Sequence, residues 1–126
     1  MFYPNDILYS REHTWALVDG DTAKIGITDY AQDQMGEIFS IELPEEGGQF
    51  SAGDVLCEVE SSSSFSEIIC PLSGDVIAVN EELIDSPELM NDDPYTNWIV
   101  ELQLSDTDEI EDLIDADEYE ENLEEE

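Results

Sequence analysis

The sequence predicts a mainly β fold, a sandwich or barrel with short helices and a C-terminal helix. Three observations carry that expectation. Apolar and polar residues alternate at period two through much of the chain, as they do in half-buried strands. Turn residues interrupt the alternation at short intervals. Finally, Gly53-Asp54-Val55-Leu56-Cys57 resembles Gly74-Asp75-Val76-Ile77-Ala78, which puts two similar strand units around one hairpin.

The elements follow in order. Thr14–Val18 and Thr22–Ile27 flank Asp19-Gly20-Asp21 and read as a hairpin. Asp29 is placed to cap a short helix, with Gln32 at the capping-box position and Gly36 at its end. Ile38–Leu43 reads as a strand that Pro44 and Gly47-Gly48 stop. Val55, Cys57 and Val59 then alternate with Leu56, Glu58 and Glu60. A serine run follows, and Phe65–Cys70 reads as the returning strand. Pro71-Leu72-Ser73-Gly74 turns the chain into Val76–Val79. Ser86-Pro87-Glu88 starts a helix, because proline in a first turn lacks only an N–H that has no partner there. Trp98, Val100, Leu102 and Leu104 alternate with Glu101 and Gln103 in the clearest half-buried strand. Ser105 is placed to cap an acidic helix over 105–126, with Ile110, Leu113 and Ile114 as its apolar stripe and Tyr119 and Leu123 continuing it. The acids of its first turn suit the helix dipole, and Glu124–Glu126 are expected to fray.

The 126 residues fit one domain, and 40% hydrophobic residues supply a core. With one lysine, Lys24, and one arginine, Arg11, the formal net charge is −33. Nucleic acid is excluded as a partner, since phosphate contacts need clustered cations. An anionic membrane surface is excluded on the same ground. Residues 105–126 carry 13 of the 35 acids, so the excess is not only a terminal tail. A protein bathed in multimolar salt shows such a balance, because salt screens the self-repulsion. An acidic surface on an ordinary protein and a lysine-stripped chain are the other readings. Cys57 and Cys70 lie in apolar stretches and read as small core residues rather than a bridge or metal pair. No basic segment with an apolar core opens the chain, so a cytoplasmic protein is expected.

The segments Tyr9 to Trp15, Gly26 to Gln32, Pro71 to Asn80, Ser86 to Tyr95 and Asp115 to Tyr119, taken in order, resemble the H protein of the glycine cleavage system. Tyr9 to Trp15 (YSREHTW) is similar to the family's Y-x-x-x-H-E-W, and Gly26 to Gln32 (GITDYAQ) to its GIT-x-YAQ. Gly36-Glu37-Ile38, Leu43-Pro44-Glu45 and Gly53-Asp54 follow in family order. Pro71 to Asn80 (PLSGDVIAVN), Ser86 to Tyr95 (SPELMNDDPY) and Asp115 to Tyr119 complete the match. The resemblance implies a single lipoyl-type domain over 1–126, with the barrel-sandwich hybrid fold of biotinyl and lipoyl domains. It also implies a carrier role; separately, a monomer without catalytic activity is expected. In that family a lipoyl-lysine at a hairpin tip collects an aminomethyl group from glycine dehydrogenase (decarboxylating). It delivers the group to the aminomethyltransferase, and dihydrolipoamide dehydrogenase reoxidises the arm. One tether thus visits several active sites without releasing the intermediate.

Three positions depart from the family. Ser63 stands where E-S-V-K-A-x-S-D has its lipoyl-lysine. Thr14 replaces the acid of H-E-W, and Thr96-Asn97 is a short spacer before the tryptophan. The resemblance marks Glu60, Ser61, Ser62, Ser64, Phe65, Ser66 and Glu67 as the carrier hairpin, and Glu12, His13 and Thr14 as the arm cleft. A lipoyl group is joined through an amide to a lysine amine, which a serine hydroxyl cannot replace. No cofactor is therefore expected on this chain. The run also has a plainer reading, as a polar hairpin loop suited to serine. A serine nucleophile is disfavoured, because the motif brings no base or oxyanion donors. His13 reads as a packed, hydrogen-bonded histidine. Clusters such as Asp92-Asp93 lack the ordered spacing of a metal site. Lys24, far from the tip in sequence, reads as a surface strand residue. Two functions follow: a non-lipoylated binding or regulatory module, and a true carrier whose acceptor has been replaced. The partners would be the three glycine-cleavage enzymes or a lipoate-handling enzyme.

Overall fold

The computed structural model describes residues 3–62 and 64–124. Among the described residues there are nine strands: β1 (Leu8–Tyr9), β2 (Thr14–Asp19), β3 (Thr22–Ile27), β4 (Ile38–Glu42), β5 (Gln49–Phe50), β6 (Val55–Ser61), β7 (Phe65–Ile69), β8 (Gly74–Val79) and β9 (Val100–Leu104). They form a six-stranded sheet, β1-β2-β3-β9-β8-β5, and a three-stranded sheet, β4-β6-β7. All the pairings are antiparallel. The two sheets share one apolar core, in which Ile25, Leu102 and Val76 from one meet Ile38, Val59 and Ile68 from the other. The mainly β expectation is met.

The helices are α1 (Asp29–Met35), α2 (Glu82–Asp85), α3 (Leu89–Asp92) and α4 (Ala116–Glu124), with a 3-10 turn at Thr107–Asp112. No helix among the described residues is long and apolar enough to cross a membrane. Cys57 and Cys70 are free and buried. Burial, with Cys70 and Glu58 nearby, pushes the Cys57 thiol up to about 12, as suits a core residue.

Four local expectations need correction. The cap of α1 is Thr28, whose hydroxyl accepts the Ala31 N–H; Asp29 is already helical, and its carboxylate accepts from the Gln32 amide. A register shift between Val55 and Cys57 turns Val55 outward and Leu56 inward, so simple alternation fails at the start of β6. The single-turn helix α2, which the sequence reading lacked, is fixed by the fully buried Leu83. The segment read as one acidic helix over 105–126 is two pieces. Asp106, not Ser105, caps the 3-10 turn. Ile114 then pairs with Tyr9 through both backbone bonds, at 2.8 and 2.9 Å, and this holds it extended. Its apolar stripe divides accordingly. Ile110 and Leu113 join the main core, while Ile114, Tyr119 and Leu123 join a second cluster around Tyr9 and Trp15. Glu125 and Glu126 of the expected frayed end lie outside the described residues.

Candidate functional site

The site is built where three sequence segments meet. Gly26 lies against Trp15, and a Cβ there would stand 2.5 Å from the indole. Glycine thus lets the ring pack flat on β3. The indole N–H donates to the Pro94 carbonyl at 3.2 Å. Tyr95, next in sequence, accepts the Asp29 N–H at the start of α1. Burial holds the Tyr95 phenol above its ordinary range, so it stays a neutral hydroxyl. The Y-x-x-x-H-x-W, GIT-x-YAQ and Pro-Tyr segments are therefore one packed unit that places α1 beside the β1–β2 loop.

That loop carries His13, with φ +68, a left-handed backbone that few residues other than glycine adopt. Its Nδ1 lies 2.7 Å from the Tyr119 hydroxyl, and that hydroxyl lies 2.8 Å from Thr28 Oγ1. The ring also packs at 4.7 Å from Tyr30. A polar chain from α4 through to the cap of α1 thus fixes His13, as expected of a hydrogen-bonded structural histidine.

Between this wall and the hairpin lies a cleft of about 350 Å³. Glu12 and His13 line one side, Tyr30, Ala31, Gln34 and Met35 of α1 form another, and Ser64, Ser66, Glu67 and Ile68 of the hairpin close it. The cleft joins two of the three expected arm-cleft residues to the hairpin. Thr14 is different: it is 1% exposed, bonds Ser10 Oγ at 2.6 Å, and does not line the cleft. Its position in β2 faces inward, so its departure from the family's acid leaves the cleft rim to Glu12. The α1 residues were missed, although 30, 31, 34 and 35 fall on one helical face and that spacing is legible. The Tyr119 hydroxyl was missed too; the sequence offered it only as part of an apolar stripe.

The hairpin is the β6–β7 pair. Ser61 is buried, and its N–H and hydroxyl both donate to the Ser64 carbonyl, at 2.9 and 3.0 Å. The Ser62 N–H donates to the Glu37 carbonyl at 2.9 Å, which ties the tip to the β4 approach. Ser62 and Ser64 are exposed, as are Glu60, Phe65 and Glu67, while Ser66 is half-buried. Ser63, expected exposed at the tip, lies outside the described residues. Lys24 is on β3 of the other sheet, between Leu17 and Glu101 in register, with Nζ 5.5 Å over the Trp98 ring.

The chain has relatives in both sequence and overall fold. The sequence profile of the family described as "Glycine cleavage H-protein" matches residues 7–126. The chain belongs to the glycine cleavage H-protein family. A probable glycine cleavage system H protein of Thermococcus gammatolerans is 51% identical over 120 residues, 94% of this chain and 90% of that one. The glycine cleavage system H protein of Carboxydothermus hydrogenoformans is 48% identical over 124 residues, 98% and 95% of the two chains. The crystal structure of a glycine cleavage system H protein from Mycobacterium marinum matches with a TM-score of 0.87 at 33% identity, covering 95% of this chain and 98% of that one.

Proposed function

We propose that this chain is a non-lipoylated H-like module that docks where H proteins of the glycine cleavage system dock and acts by binding, not catalysis. The family carries lipoate on a lysine. The observation that carries the proposal is the serine at position 63 of the sequence, where the resemblance puts the family's lipoyl-lysine. A hydroxyl cannot form the amide that holds lipoate. The other candidate amine, Lys24, is in the opposite sheet and packs on Trp98, away from the hairpin a lipoylating enzyme must grip. The residues present do not fit the group, and the chain works without a cofactor. Its partners are glycine dehydrogenase (decarboxylating), the aminomethyltransferase, dihydrolipoamide dehydrogenase or a lipoate-handling enzyme, met as a cytoplasmic monomer.

One observation favours a second reading, a carrier of the aminomethyl group disabled at one residue: the cleft keeps Glu12, His13 and a complete α1 wall. A single experiment separates the two. The chain is incubated with lipoate ligase, lipoate and ATP, then analysed by intact mass and peptide mapping. No adduct is expected, and a lipoyl group on any residue overturns the proposal. Ser63→Lys is expected to be modified at position 63. If the modified variant then shuttles the aminomethyl group fully, the disabled-carrier reading is right. Lipoylation without shuttling supports the module.

A further inference from the structure

The outer face of the three-stranded sheet is unlike the rest of the surface. Glu42 pairs with Glu58, and Glu58 pairs with Glu67, so three carboxylates stand side by side across all three strands. Directly opposed like charges in a sheet are unfavourable, and neither of the chain's two cations lies on these strands. The next row toward the tip runs Ser40–Glu60–Phe65. The register shift between Ile38 and Ser40 adds Phe39 to the same face. Phe39 is 58% exposed and Phe65 59% exposed. Two strand spacings separate them, about 10 Å, with the Glu60 carboxylate between. Exposed aromatics around uncompensated carboxylates do not help the isolated fold.

We infer that this face is a docking surface for a partner protein segment that interleaves arginine with apolar side chains. A guanidinium pairs with carboxylates and stacks on phenyl rings through one planar group, which an ammonium does less well. Arginine and aromatic residues are also what protein interfaces concentrate. A second copy of this chain does not fit, since its like charge at a net −33 opposes approach. For the identity of its partner the inference rests on the module reading above; the surface itself does not.

Two titrations test it. First, a short peptide alternating arginine and leucine is added to the isotope-labelled full chain and followed by NMR. The largest shifts are expected at Phe39, Glu58, Glu60 and Phe65. Phe39→Ser with Phe65→Ser weakens the peptide about tenfold or more, in line with loss of central aromatic anchors. Leu17→Ser with Ile77→Ser, exposed positions on the six-stranded sheet, leaves binding unchanged. Shifts spread over the acidic surface, or equal loss in both double variants, overturn the inference. Second, the aminomethyltransferase is titrated with the same three proteins. Binding lost only in the Phe39/Phe65 variant supports the inference. Binding kept by that variant overturns it and leaves the module standing. If the peptide maps to the face while the enzyme binds none of the three, the surface stands and the docking role in glycine cleavage fails.

Discussion

On the cleft wall, His13, the Tyr119 hydroxyl, Thr28 Oγ1 and the Ala31 N–H form one continuous hydrogen-bonded chain. On the outer face of the hairpin sheet, Glu42, Glu58 and Glu67 stand in register against one another, and Phe39 and Phe65 face solvent. The polar groups of the wall are satisfied by the fold itself. Those of the sheet face oppose it. The wall therefore reads as a device for holding geometry, and the face as a surface kept for something else. The tip lies between these extremes, since its described serines bond each other and the Glu37 carbonyl but present no group that forms an amide.

The largest effect expected is on the whole chain. Thirty-five acids against two basic residues repel, and the screening length falls to about 3 Å at 1 M ionic strength. The melting temperature is expected to rise from low to multimolar potassium chloride, by more than any single substitution below changes it. A flat or falling melting temperature counts against salt adaptation. The same series sharpens the contrast between the regions, because interactions on the buried wall should respond to salt far less than those on the exposed face.

Breaking the wall comes next. Tyr119→Phe keeps the ring stacked on Tyr9 at 4.8 Å but removes the hydroxyl shared by His13 and Thr28. A loss of about 1–3 kcal/mol is expected in denaturant unfolding, the cost of leaving buried polar partners unmade. The loss should be similar at low and high salt. An unchanged midpoint would mean the polar chain does not hold the wall.

How much of this was legible varies with the physics involved. Strand β9 was readable because it buries one face, so period two is written directly into its residues. Strands β2 and β3 bury both faces where Trp15 packs on Gly26, and it was the Asp19-Gly20-Asp21 turn between them that marked the pair. The start of β6 was not, because the bulge at Val55–Cys57 reverses which residues face inward, and nothing local announces it. The break before α4 was hidden for a related reason. Ile114 is as suited to a helical stripe as to a strand, and only its distant partner Tyr9 decides. The hairpin and Glu12–His13 were marked by motif resemblance and do share a cleft. The α1 wall and the Tyr119 link needed three dimensions. So did the row of glutamates, whose members are separated by 16 and 9 positions in the sequence and meet only through strand register.

The smallest effect is on that row, and its sign is the opposite of the wall's. Glu58 is the central member, half-buried between Glu42 and Glu67. Glu58→Gln keeps the side-chain volume and removes one of three adjacent charges. A directly opposed like-charge pair costs on the order of 0.2–1 kcal/mol, so the variant is expected to be more stable than the parent by an amount in that range at low salt. Screening should shrink the gain as salt rises, whereas the Tyr119→Phe loss persists. Urea unfolding of the parent and both variants at two salt concentrations measures all of this in one design. If Glu58→Gln destabilises the chain at low salt, the Glu58 carboxylate has a favourable role within the fold, and the sheet face is not the strained surface the register implies. If the gain is seen and vanishes in salt, the glutamate row opposes the isolated fold through charge alone, and a cationic partner would relieve that opposition on docking.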